Sequence, residues 1–296
     1  MLSVLIPTYN FDCTQLVQTL QAQLPEGAEI VVGDDCSTDE KISAAMDRLS
    51  ADEPKGTNIR IIKPHKNLGS AGMRNLLCHK AKGDYLLYID CDAIINDSHF
   101  IEKYMKGMNG DVVCGTVIHP DAPPSPKQTL RWKYEKSLEA KYAANKRNEK
   151  PYQHFRTFHF MIRKEDMLRV PFDENIKRSG YEDLLFGKRL QEANINVRHT
   201  DICAVNGDIE SNETFLRKTK GHIQTLLQLQ DELKGYSTLL AVDTRLRKWH
   251  AAWIVRILFR ISKPLLEVNL LSNHPSTKLF QFYKLGLFYT IPVQTP

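Results

Sequence analysis

With 296 residues, 42% of them hydrophobic and 25% charged, the chain can bury a full core as one large domain or as a domain with an appendage. Its formal net charge of +5 and pI near 8.8 are mildly basic; they are compatible with nucleic acid, an anionic membrane surface or a phosphorylated substrate, and select none of these. Six scattered cysteines, Cys13, Cys36, Cys78, Cys91, Cys114 and Cys203, form no C-x-x-C pair and stand mostly in apolar contexts, which argues against a disulfide framework and for reduced thiols at a cytosolic face. The opening "MLSVLIPTYN" has no basic n-region and no small-residue cleavage site, so it reads as a first strand and not as a secretion signal.

In chain order, "LSVLIP" predicts a strand stopped by Pro7, "TQLVQTLQAQL" a helix, and "AEIVVGDD" a strand ending in acid. "STDEKISAAMDRL" predicts a helix opened by a capping box of Ser37 and Glu40. "NIRIIKP", "SAGMRNLLCHKA" and "DYLLYID" continue the alternation, so the first half is expected to be α/β, with a mostly parallel sheet flanked by helices. Next come a strand over "GDVVCGTVI", a Pro-rich loop over "HPDAPPSP", and one long basic helix with a solvated charged face over "LRWKYEKSLEAKYAANKRNEK". "FRTFHFMIRK" alternates like a strand and "YEDLLFGKRLQEAN" is helical; beyond residue 206 the patterns are mainly helical.

The chemistry-bearing residues stand at strand ends. Asp90 and Asp92 close the apolar run "YLLYI"; they are either turn punctuation or carboxylates placed for a metal in the crevice where open α/β sheets bind ligands. Asp34 and Asp35 end the second strand, where the alternatives are a turn with a helix cap or a carboxylate for a base N–H. After the third strand, Gly69 and Gly72 allow a close backbone approach and Arg74 supplies a cation. Neither G-x-G-x-x-G nor G-x-x-x-x-G-K-[ST] occurs, so side chains and a metal would have to hold any nucleotide phosphates.

"SVLIPTYN", "VVGDDCSTD", "NLGSAGMRN", "DCD" and "GYEDLLFGKRL", in this order and approximate spacing, resemble the family 2 glycosyltransferases of GT-A fold over residues 2–206. The resemblance implies an inverting transferase moving a sugar from a nucleoside-diphosphate sugar, most often a UDP-sugar, to an acceptor hydroxyl of a growing glycan or lipid-linked oligosaccharide. It implies Thr8, Tyr9, Asp34 and Asp35 around the nucleoside, with Arg74 near the base or diphosphate. Asp90 would face the ribose and metal shell, and Asp92 would coordinate Mg²⁺ or Mn²⁺. Asp183 would be the general base, with Glu182 beside it touching the acceptor; His159 is either a second acceptor contact or, the favoured alternative, a histidine packed within its strand. Asn206 stands where many relatives carry a metal-binding histidine, and His199 and His222 are the nearby substitutes. On local grounds Glu182 and Asp183 are equally well explained as acids at a helix N-terminus.

The expected layout is a catalytic domain over 1–206, with the nucleotide-sugar half over 1–92 and the acceptor side over 93–206, then a helical region over 207–296. "TRLRKWHAAWIVRILFRISKPLLEV" reads as one helix interrupted by Pro264, with Arg245, Arg256, Arg260 and Lys263 on one arc beside Trp249 and Trp253. It is either an interfacial helix on an anionic membrane or a packed helix with a solvated basic stripe. The expected setting is cytoplasmic, peripheral on the cytosolic face of the inner membrane, with no nucleic-acid partner. The competing functions are a donor-binding homologue without turnover and, less favoured, an aspartyl phosphatase or phosphotransferase.

Overall fold

The structure, a computed structural model, describes residues 1–51, 58–109, 112–176 and 180–292. Its first half alternates as the apolar runs require: β1 (Leu2–Thr8), α1 (Thr14–Gln21), β2 (Glu29–Asp34), α2 (Glu40–Ala51), β3 (Ile59–Ile62), α3 (Gly69–Lys80) and β4 (Tyr85–Ile89). β1 lies between β2 and β4 and is parallel to both, and β3 adds in parallel to β2. All four strands therefore end on one rim.

There follow β5 (Ala93–Ile94), α4 (Phe100–Gly107), β6 (Val112–Ile118), α5 (Thr129–Glu139), α6 (Ala144–Arg147), β7 (His159–Arg163), α7 (Lys164–Arg169), α8 (Glu182–Glu192) and β8 (Val197–Asn206). The described strands form one eight-stranded sheet in the order β3-β2-β1-β4-β7-β6-β8-β5. β7 is antiparallel to both its neighbours, and β8 runs parallel to β6. The sheet is mixed but mostly parallel, as the alternation predicts.

Both faces of the sheet are covered, which is why its strands are apolar at nearly every position. Val4, Ile6, Leu87 and Ile89 pack on one side with Phe100 and Tyr104. Leu5, Leu86 and Tyr88 pack on the other with Phe160 and Phe186, the Tyr88 ring stacked on Phe160 at 4.9 Å. A third cluster belongs to α9 (Asn212–Gln228), α10 (Thr238–Lys248), α11 (Ala252–Leu271) and α12 (Thr277–Thr290), and it also takes in Leu130 from α5 and Leu185 from α8. Ser211 caps α9, its hydroxyl accepting from Thr214 N. At Gly286 α12 approaches α11 so closely that a Cβ would stand 2.1 Å from the Phe259 ring.

Several local expectations give way. Ser37 does not open α2, which begins at Glu40; its hydroxyl instead accepts from Asn10 N, and Asp39 accepts from Lys41 N in the N-cap place. The long basic helix breaks after Glu139, and Arg147, expected on a solvated face, is buried because it donates to the carbonyl of Gly115 at 2.8 Å. Residues 197–206, left unassigned by their pattern, are a ten-residue strand. The supposed single C-terminal helix turns at His250, whose φ of 52° lies in the left-handed region, so Arg245 sits on a different helix from Arg256. Pro264 lies inside α11 without ending it.

Candidate active site

At the end of β4 the chain is held in place by Asp90 N donating to Phe158 O at 2.8 Å. The Asp90 carboxylate then accepts from Arg74 Nη2 at 2.6 Å. Arg74 is itself buried, donates to the Ser70 hydroxyl one turn back on α3, and lies 5.6 Å from the Phe172 ring centroid. Burial raises the Asp90 carboxyl and the guanidinium opposes that rise. The ion pair is close to neutral overall, and it holds the Asp90 carboxylate in one orientation.

Asp92 is not clamped in this way. Burial and the charge of Asp90 push its carboxyl up to about 6, the charge of Arg131 across the cavity opposes that rise, and Asp208 adds to it. Its backbone carbonyl accepts from Gly207 N at 2.9 Å, and Ala93 pairs with Asn206, so the acidic turn is fastened to the end of β8. Asn206 stands beside the acidic turn, opposite Ala93. It is buried, its amide oxygen accepts from Asp208 N at 3.1 Å, and it shapes the turn that brings Asp208 and Glu210 to the cavity wall.

Gly180 and Tyr181 turn the chain into α8 with positive φ of 114° and 68°. Only glycine fits at 180, where a Cβ would stand 2.6 Å from the His222 ring. This turn presents Glu182 and Asp183. Glu182 accepts from Gly180 N, and Asp183 accepts from Leu184 N at 2.7 Å. Burial and the Glu182 charge lift the Asp183 carboxyl above its ordinary range, while Arg156 pulls it down. Arg156 is 3.6 Å from Glu135 and stacks over Tyr142.

Asp90, Asp92, Glu182 and Asp183 line one cavity of about 550 Å³. Apart from His222, its remaining wall was not anticipated. Arg131, Tyr134 and Glu135 come from α5, Asp208 and Glu210 from the β8 turn, Lys218 and His222 from α9, and Lys284 from α12. Lys284 donates to the Tyr134 hydroxyl at 2.9 Å, and burial lowers its ammonium to about 8. The acid pair of "GDIE" had a readable signal, since it follows a strand with D-x-E spacing. Lys284, about a hundred residues beyond Asp183, had none.

The nucleoside-side candidates sit at the same rim outside this cavity. Thr8 donates to Phe11 O at 2.8 Å, Asp34 accepts from Ser37 N at 2.9 Å, and Tyr9 is exposed. Asp35 accepts from Leu68 N at 2.7 Å and Gly69 N at 2.8 Å, closing the loop before α3. A neighbouring hollow of about 300 Å³, lined by Phe11, Gln15, Cys91 and Gly207, reaches Asp92 from the other side. His159 is a correction: it lies in the core, 2.6 Å from the Tyr104 hydroxyl, with burial lowering it to about 4, and it meets neither hollow. His199 is likewise buried, against Arg147, whereas His222 reaches the cavity wall.

The donor set suits a hard cation. Asp90, Asp92 and Asp208 offer carboxylate oxygens whose mutual repulsion such an ion relieves, and no cysteine lines the cavity. Among the described residues no three His, Cys, Asp or Glu side chains form a ready-made cage. That pattern agrees with the Mg²⁺ habit of using one or two carboxylates together with substrate phosphates and water.

Comparison with known proteins places this geometry. The fold is shared with residues 1–349 of Staphylococcus aureus TarS, solved in complex with UDP-GlcNAc, at a TM-score of 0.52 and 17% identity over 98% of this chain and 89% of that one. It is also shared with the mannosyltransferase PcManGT from Pyrobaculum calidifontis, solved with GDP-Man and Mn²⁺, at a TM-score of 0.58 and 13% identity over 97% and 84%. Among curated sequences, the poly(ribitol-phosphate) beta-N-acetylglucosaminyltransferase TarS of Staphylococcus aureus is 31% identical over 140 residues, 41% of this chain. An uncharacterized glycosyltransferase of Haemophilus influenzae is 30% identical over 122 residues, 40% of this chain. The chain spans only 24% and 38% of the lengths of these two relatives. The sequence profile of glycosyl transferase family 2 matches residues 3–170, more than half of the 296, and the chain belongs to that family.

Proposed function

We propose that the protein is an inverting glycosyltransferase. It moves a sugar from a nucleoside-diphosphate sugar, a UDP-sugar before others, to an acceptor hydroxyl of a growing glycan or lipid-linked oligosaccharide. The observation that carries this reading is the meeting of Asp183 with Asp90 and Asp92 in one cavity, because a single displacement needs a base on one side of the sugar and charge neutralisation on the other. The raised Asp183 carboxyl is a stronger base than a solvated one, and it takes the proton of the acceptor hydroxyl as the new bond to the anomeric carbon forms. Glu182, beside it, orients the acceptor. Arg74 holds Asp90 in position, so the acidic turn keeps its shape as negative charge grows on the leaving diphosphate. Asp92, with Asp90 and Asp208, would hold Mg²⁺ or Mn²⁺, which supplies the neutralisation of that diphosphate. A UDP donor is supported by TarS, solved with UDP-GlcNAc, and a metal by PcManGT, solved with Mn²⁺.

The lack of a three-ligand cage favours one second reading, a donor binder without turnover. Nucleotide release decides between the two. Nucleotide sugars that raise the melting temperature with Mg²⁺ or Mn²⁺ are incubated with candidate glycan acceptors, and acceptor-stimulated nucleotide release supports the transferase. Thermal stabilisation with neither hydrolysis nor transfer across the panel overturns it in favour of the binder.

A further inference from the structure

The outward face of α11 has no partner among the described residues. Trp253, Ile257, Ile261, Leu265 and Val268 are 62, 47, 74, 75 and 71% exposed, whereas Phe259, Leu266 and Leu270 of the same helix are buried against the third core. On a wheel of about 100° per residue the five exposed residues fill an arc of about 120° centred opposite the buried three. Arg256, Arg260 and Lys263 occupy one flank between the two arcs, and Trp249, 71% exposed, stands just before the helix. Arg260 and Lys263 also join Arg217 and Lys220 around a groove of about 570 Å³ between α9, α11 and α12. From residue 238 onward the chain carries eight Lys and Arg against Asp243 and Glu267, while the whole chain is only +5. The basic excess of the protein is therefore concentrated in this layer.

Charge selects the occupant. An isologous contact with a second copy would bring two sets of Arg256, Arg260 and Lys263 together at the edge of an apolar patch, whereas an anionic bilayer offers headgroups to the cations and acyl chains to the apolar arc. No helix among the described residues is long and apolar enough to cross a membrane, so α11 would lie in the interface. We infer that α11 docks the protein on an anionic lipid surface, its apolar arc inserted and its basic flank, with the adjoining groove, taking headgroup phosphates. α9 and α12, which pack against α11, also wall the catalytic cavity, so docking and chemistry share one layer. The inference does not depend on which reaction the cavity performs.

The test is flotation of the full chain with vesicles of phosphatidylcholine alone and with vesicles that also contain phosphatidylglycerol, at low and high salt. The protein is expected to float only with the anionic vesicles and to be released by salt. Ile261→Asp with Leu265→Asp should abolish flotation without lowering the melting temperature, because both side chains are exposed. Arg256→Gln with Arg260→Gln should weaken binding about thirtyfold. Absence of flotation from anionic vesicles, or flotation unaltered by both double substitutions, overturns the inference. A concentration-dependent dimer that Ile261→Asp disperses, in a protein that binds no vesicle, assigns the face to a second copy and overturns it as well.

Discussion

Asp34 and Asp35 end β2 much as Asp90 and Asp92 end β4, two strands away on the same rim, yet the two pairs are used in opposite ways. At β2 the oxygens face inward to the backbone: Asp34 accepts from Ser37 N, and Asp35 accepts from both Leu68 N and Gly69 N. At β4 one carboxylate is tied to Arg74, while the other faces two hollows and carries repulsion from Asp90 and Asp208 that Arg131 only partly offsets. A carboxylate whose lone pairs meet amide N–H groups completes a loop, and at Asp35 those bonds oppose the upward shift that burial imposes. One held among other acids is poised to accept a cation or a proton. Sequence position is the same in the two cases, and only the surrounding donors differ.

The sharpest way to break this contrast is at the cavity, where Asp183 is the proposed base. Asp183→Asn should lower turnover by about 10²–10⁴-fold with nucleotide-sugar affinity unchanged, measured by steady-state nucleotide release and thermal shift. Next in size, Asp35→Ala leaves two backbone N–H groups without their acceptor and should cost about 2–4 kcal/mol in denaturant unfolding, with little effect on metal dependence. Asp92→Asn should show the reverse: a melting temperature equal to or above that of the parent without metal, and metal-dependent donor affinity weakened by about 10–100-fold in titration calorimetry. If Asp35 and Asp92 gave the same signature, the contrast would be lost.

The smallest effect concerns a group outside both rims. His159 and His199 are each depressed to about 4 and are buried neutral, so below about pH 6.5 the unfolded chain binds protons that the native chain refuses. Their contribution is full above about pH 6.5 and is lost as pH falls towards 4. At pH 5 it amounts to about 1–2 kcal/mol for each. Chemical denaturation at pH 7 and 5 checks this, and His159→Gln should flatten the difference.

The parallel half of the fold was legible because its strands are short apolar runs alternating with helical repeats, although β1 runs on through Pro7, where its stop was expected, to Thr8. β8 was not, because its burial alternates and "VRHTDICAVN" mixes charged, polar and apolar residues along its length. Arg147 misled for a related reason. A cation on a basic stretch looks solvated until the carbonyl of Gly115 and the ring of His199 are known to face it. In the site, the acids at strand ends and at the start of α8 were ambiguous locally, each being equally a turn or cap residue, and only their order along the chain pointed to one rim. The assignment of His159 failed because a strand residue's face depends on register, and Ile89 opposite His159 sets it towards α4. Asn206 was correctly placed near the acidic turn, but its amide serves Asp208 N, a detail of loop geometry that spacing does not encode.

Lys284 and His222 enter the cavity from helices that lie past residue 170, where the family profile stops, while Asp90 and Asp92 enter from within the matched stretch. The chamber thus has two independently replaceable sides. Exchange of the later helices would re-line the half next to Asp183 while the sheet, the Arg74–Asp90 clamp and the acidic turn stayed untouched. Under the proposed reading, the side built by the later helices would meet the incoming alcohol, and its selectivity could diverge while the acidic turn that handles the activated sugar stayed the same.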